Sequence, residues 1–257
     1  MVKKSTKRKC IASTLVYIIL RVLVLLVLFL NIFHKNYENV FICLLTLVLF
    51  MMPYFIERKF KIEIPESLEI IIFFFIFSAE ILGEINSFYT LFPNWDTILH
   101  TINGFIMGAI GFSLIELLNE NKKVSMALSP LFVAIVSFCF SMTIGVLWEF
   151  FEFGMDQFFH LDMQKDTVIT ELHSVSFDEN HLNNVHTIVP ESIIVNGEDW
   201  VQKYGGYIDI GLIDTMKDLL VNFVGALTFS FLGFFYSRSK DRGKIEKILI
   251  TQRKEYI

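Results

Sequence analysis

Acidic side chains recur at helical spacing in stretches of this sequence that are otherwise apolar. In "PNWDTILHTINGF", Asp96 and His100 stand at i and i+4. "LWEFFEFGMDQFFH" sets Glu149, Glu152 and Asp156 at i, i+3 and i+7, and "IDTMKDLLVNFVGA" sets Asp214, Asp218 and Asn222 at i, i+4 and i+8, with Lys217 beside them. Glu80 and Glu84 form a further i, i+4 pair. On an α-helix those offsets put each set on one face. Carboxylate oxygens joined by one imidazole suit a divalent metal, Mg²⁺, Mn²⁺ or Zn²⁺, which polarises a phosphoryl or carbonyl oxygen and activates water. In that chemistry Asp96, His100, Glu149, Asp214 and Asp218 are the ligands and Glu152 is the general base. Glu80, Glu84, Asp156, Lys217 and Asn222 are supporting residues.

The elements that must carry these side chains are membrane helices. Of the 257 residues 54% are hydrophobic, 28 are Phe, and the mean hydropathy is +0.55. A soluble domain of this length buries a good core with far fewer apolar residues. The excess falls in runs of about 20, the length that spans a bilayer as helix. Six spans are expected, at about 11–33, 38–57, 67–86, 96–118, 127–157 and 213–236. The fold class is therefore all-α, a polytopic transmembrane bundle. It divides into membrane helices over 1–157, an extracytoplasmic, mostly irregular segment over 158–212, a last helix over 213–238, and a basic cytoplasmic tail over 239–257.

The net charge of −5 conceals a segregation that orients the chain. With the N-terminus in the cytoplasm, inside segments carry Lys3, Lys4, Lys7, Arg8 and Lys9, then Arg58, Lys59 and Lys61, then Lys122 and Lys123, and seven more in the tail, 17 of 22 basic residues. Outside segments hold Lys35, Lys165 and Lys203, while Arg21 and Lys217 fall within spans. The positive-inside rule places both termini in the cytoplasm and 158–212 outside. The apolar run after the basic start is too long for a signal peptide and lacks a small-residue cleavage site, so it reads as a first span. Cys10, Cys43 and Cys139 show no CxxC or pairing pattern and read as small hydrophobes. In the outer segment "HTIVPESIIVNGEDW" suggests a short hairpin, and His160, His173, His181 and His186 match no zinc spacing and read as solvated.

This topology brings acids from four helices to one side of the membrane at similar depth. Charge in hydrocarbon costs a few kcal/mol on insertion scales, so such acids face the bundle interior and find partners. His100, Lys217 and Arg21 are the nearby cations, and Arg21, in the inner half of the first span, snorkels towards the cytoplasm. The acids outnumber the cations, and bound protons or a divalent metal would relieve the excess. Each element also has a plain reading. Asp96 and Asp214 suit helix N-termini, Glu152 and Asp156 suit solvated positions beyond the lipid, and His100, Glu80, Glu84 and Asn222 suit satisfied bundle positions. Gly104, Gly108, Gly111, Gly145 and Gly225 mark close helix contacts.

"WDTILHTINGF", "WEFFEFGMD" and "DTMKDLLVNFVGA" together resemble the bacterial inner-membrane proteins of the YjdF-like family and, more distantly, the VanZ-like proteins linked to glycopeptide (teicoplanin) resistance. The resemblance covers about 95–225. It implies an Asp-x-x-x-His opening one helix, a Glu-containing motif ending another, and an Asp-rich entry leading to Asn and Gly in the last. Thr97, where VanZ-like chains tend to be basic, and Glu152, where they tend to carry an amide, depart from the pattern. The resemblance implies a bacterial cytoplasmic membrane location and brings no established activity.

Three functions compete. The first is a metal-dependent enzyme at the outer leaflet acting on a lipid-linked or cell-envelope substrate; Ser113 in "GFSLI" lacks a nucleophile elbow's second glycine, and HExxH and P-loop motifs are absent. The second is a proton- or cation-coupled transporter using the carboxylates as a relay. Against it stand the lack of an inverted repeat and the confinement of the acids to one side, apart from Glu116 and Glu120. The third is a non-enzymatic envelope protein with a structural or ligand-binding polar cluster. The expected partners are the lipid bilayer and a lipid-linked or cell-envelope ligand, with no nucleic acid.

Overall fold

The computed structural model describes residues 11–60, 62–119, 128–238 and 252–253. Cys10 and the basic residues assigned to the N-terminal segment, to 122–123 and to most of the tail lie outside the described residues. Five helices among the described residues are long and apolar enough to cross a membrane: Ala12–Phe33, Tyr37–Lys59, Trp95–Leu118, Pro130–Phe159 and Leu212–Arg238. Their surfaces are as apolar as their contacts. Along the first helix Leu15, Ile18, Val22, Leu26, Phe29 and Leu30 are all exposed, an apolar face suited to lipid. The chain is a multi-pass membrane protein with an all-α spanning region.

It divides into two compact units, Met1–Val146 with Asp218–Ile257, and Leu147–Lys217. In the first unit α1 (Ile11–Phe33) packs on α2 (Tyr37–Leu49) and α4 (Glu66–Phe77). Leu20, Val24, Cys43, Phe50, Leu68, Phe73 and Ile81 fill their shared core. The start of α1 is tied to the start of α4: Ser13 N–H donates to Glu66 Oε1 at 3.1 Å, and Ser13 Oγ to Glu69 Oε2 at 2.5 Å. The second expected span is interrupted at residues 50–51, after which α3 (Met52–Phe60) begins. Pro53 explains the break, because it lacks the N–H that would continue the ladder.

The third expected span does not appear as one regular α-helix. After Phe77 the chain widens into a π-helical segment, Ser78–Ile85, closed by Asn86, whose backbone N and Nδ2 both donate to Ile81 O, at 3.1 and 2.7 Å. Gly83 permits this turn, because a Cβ there would run into the ring of Tyr89. After the short α5 (Phe88–Leu91), α6 (Trp95–Asn119) begins, and Trp95 Nε1 donates to Ser78 O at 3.3 Å. Apolar packing among Ala109, Phe112, Val133, Phe229 and Tyr236, with the Phe112 ring edge-to-face against Phe229 and Tyr236, joins α6 to α7 (Pro130–Phe159) and α9 (Leu212–Arg238).

The second unit is built from short antiparallel pairs and one short helix, α8 (Trp200–Tyr204). With β1 assigned to Ile62–Glu63, β2 (Val168–Ile169) pairs with β7 (Tyr207–Ile208), β3 (Leu172–Ser174) with β4 (His186–Ile188), and β5 (Ile194–Val195) with β6 (Glu198–Asp199). The hairpin expected in "HTIVPESIIVNGEDW" is smaller than the motif. It forms at Ile194–Asp199 around Asn196 and Gly197, both with positive φ, while His186–Ile188 pairs backwards with β3. An Asn-Gly turn suits the strand twist, which is why the hairpin closes there.

What holds this small-stranded unit is a set of aspartates that accept backbone N–H groups. Asp156 accepts from Met163 and Gln164 at 2.6 and 2.9 Å. Asp209 accepts from Thr167, Gly211 and Ile213 at 2.7, 3.3 and 2.8 Å. Asp178 accepts from Asn180, Leu182 and Asn184 at 3.2, 2.9 and 3.0 Å. Each ties loop backbone that has no ladder partner, satisfying donors that would otherwise be stranded.

Candidate metal centre

Asp96, in the first turn of α6, and His100, one turn on, meet Asp218 of α9 in the first unit. His100 Nε2 lies 3.4 Å from Asp96 Oδ1 and 3.9 Å from Asp218 Oδ2. One donor atom from each of the three lies within 4.8 Å of the others. His100 and Asp218 are buried and Asp96 is half-buried. Around a zinc ion at about 2.0–2.2 Å from each ligand, tetrahedral donors stand about 3.3–3.6 Å apart. The 3.4 Å between His100 and Asp96 falls in that range, the 3.9 Å to Asp218 is a few tenths of an ångström longer, and the mixed oxygen–imidazole set also suits Mn²⁺.

Helix packing fixes that juxtaposition. α6 and α9 approach closely at Gly104 and Gly225: a Cβ on Gly104 would strike Asn222 O, and one on Gly225 would strike Thr101 O. α7 is bound to α6 by Ser137 Oγ donating to Gly108 O and Ser141 Oγ donating to Gly104 O, both at 2.7 Å. Asn222 is 1% exposed and its Oδ1 accepts Asn103 Nδ2 at 3.2 Å. Asn103 is the residue that the sequence reading missed. Its position at i+3 from His100 was the available signal.

Glu149, Glu152, Asp156, Asp214 and Lys217 belong to the second unit. Glu149 and Glu152 are buried, and Glu152 Oε1 accepts Trp148 Nε1 at 2.9 Å. Asp214 Oδ2 accepts Lys165 N–H at 2.6 Å, and Lys217 is exposed. Glu80 and Glu84 sit on the π-helical segment, with Glu80 buried. Arg21 stays on its own helix, its guanidinium bonded to Tyr17 Oη at 2.5 Å and lying over that ring. His160, His173, His181 and His186 are exposed; His173 Nδ1 shares a hydrogen with Thr187 Oγ1, and His186 faces Asp178 at 3.7 Å.

Fold and cluster together define a class: a polytopic helical membrane protein with an Asp/His cluster between two of its helices. The family model described as "Predicted membrane protein (DUF2238)" matches residues 15–239, and the chain belongs to that family. The YjdF-like resemblance of its motifs agrees with this membership. A relative from Thermotoga maritima, named only as an uncharacterized protein, is 27% identical over 105 residues, 41% of this chain and 52% of that one. The match thus spans about half the length of that relative. No solved structure matches the chain.

Proposed function

We propose that this protein is a membrane-embedded, metal-dependent enzyme whose site opens at the outer face of the bacterial cytoplasmic membrane and acts on a lipid-linked or cell-envelope substrate. The observation that carries the reading is the gathering of one imidazole nitrogen and two carboxylate oxygens, from two helices, within 4.8 Å. His100, Asp96 and Asp218 would hold the ion, which supplies positive charge to polarise a phosphoryl or carbonyl oxygen. Burial keeps water from competing at His100 and Asp218, while half-exposed Asp96 leaves a side open to substrate. The depth supports an amphiphilic substrate: Asp218 lies six residues after the start of α9, roughly 9 Å along the axis. The Lys/Arg bias supports both cytoplasmic termini and an external 158–212 segment.

Metal content of the purified full chain tests this. Near-stoichiometric Zn²⁺ or Mn²⁺ is expected in the wild type, with loss in His100→Ala and in Asp218→Asn and retention in Cys139→Ser. A second reading, in which the polar residues zip α6 to α9 without an ion, draws on the neighbouring Asn103–Asn222 bond. Folded protein that binds neither metal at millimolar concentration would favour it.

A further inference from the structure

We infer that Asn103 and Asn222 are positioning residues for this site, their amide bond setting α6 against α9 and thereby the separation of His100 from Asp218. The inference rests on the reading of Asp96, His100 and Asp218 as a functional site. Asn103 follows His100 by three residues and Asn222 follows Asp218 by four, so the amide pair lies one turn deeper on the same two helices. Asn222 is held from several sides. Its Oδ1 accepts Asn103 Nδ2 at 3.2 Å, and its Nδ2 donates to Met142 Sδ of α7 at 3.6 Å. A Cβ on Gly145 would come within 2.6 Å of that same nitrogen. A buried amide so confined has one orientation, and sliding α9 along α6 breaks its bond to Asn103. Donor atoms at a metal site tolerate little displacement, and loss of a residue that orients ligands typically lowers metal affinity about 10–100-fold.

The test reads distance and affinity separately. With Cys10, Cys43 and Cys139 replaced, His100→Cys and Asp218→Cys are joined by a short bis-thiol reagent in the full chain in bilayer nanodiscs. Cross-linking is expected to be high with Asn103 and Asn222 present and to fall severalfold with Asn103→Ala or the size-conserving Asn103→Leu. Ser137→Ala is the control, because it removes the hydroxyl bond to Gly108 without touching the α6–α9 pair. In the native-site protein, Asn103→Ala should weaken Mn²⁺ binding about tenfold, and Asn103→Ala with Asn222→Ala should weaken it no further than the stronger single change. Unchanged cross-linking in both Asn103 variants, or an equal fall with Ser137→Ala, overturns the inference. Cross-linking that falls as expected in a protein that binds no Mn²⁺ upholds the positioning role and removes the metal reading instead.

Discussion

Asp209 and Asp218 show how one side-chain type serves two ends. Asp218 meets an imidazole across a helix interface, whereas Asp209 spends its oxygens on three loop N–H groups. Burial pushes the Asp209 carboxyl up, but the N–H groups of Thr167, Ile213 and Gly211 outweigh it and hold the carboxyl below the usual range. At Asp178 the N–H of Asn184 is the largest influence; burial opposes it, and Asn180, Leu182 and His186 add to it, with the same downward result. A carboxyl depressed on folding contributes stability that is fully present above its unfolded value, about 3.9, and is lost as pH falls through the lower folded value. The second unit should therefore loosen first in acid. Hydrogen-exchange protection factors, taken against the intrinsic rate at each pH, are expected to fall over 163–213 at pH 3 relative to pH 7 while those of α6 hold. Asp209→Asn, which leaves one oxygen to serve three donors, should destabilise that unit by about 1–3 kcal/mol and flatten its acid response. The carboxylates at helical spacing could be read from the sequence as potential ligands. Which of them instead staple loops could not, because Asp156 finds its N–H partners seven and eight residues on and Asp214 finds Lys165 forty-nine residues back.

Between helices, absence of a side chain matters as much as its presence. Gly104 and Gly225 sit where α6 and α9 touch backbone to backbone, so a methyl group at either must push the helices apart. Gly104→Ala and Gly225→Ala should each cost about 1–3 kcal/mol by overpacking and should carry the metal affinity down with them. Gly154→Ala is the matched control: its nearest neighbour would be Phe158 at 4.0 Å, and removing a helical glycine there should be neutral or stabilising by about 0.5–1 kcal/mol. Thermal unfolding in detergent measures all three. That these glycines are contact points was legible from their type within apolar helices. The break at residues 50–51 falls inside a span expected to be unbroken over 38–57, and Pro53 was the available signal for it. The π-helical widening at Ser78–Ile85 was not, since it depends on Asn86 capping Ile81 and on the Tyr89 ring filling the space beside Gly83.

Over the whole molecule, long apolar helices with exposed apolar faces establish a multi-pass membrane protein of the DUF2238 family. Orientation is testable with single cysteines in an otherwise cysteine-free chain in intact cells. Glu191→Cys should react with an impermeant maleimide and Lys59→Cys should react only after the membrane is opened; labelling of both from outside would overturn the proposed topology. Spans, expected sidedness and candidate ligands all follow from local pattern, because hydrophobic length and charge placement act residue by residue along the chain. Which ligands meet is a different kind of fact. Asp96, His100 and Asp218 come from segments separated by more than a hundred residues, and they meet through the packing of α6 on α9, which touch at Gly104, Gly225, Asn103 and Asn222. Helical periodicity gives each face a direction, but the rotation and sliding of one helix against another are decided by steric fit, which no single segment contains.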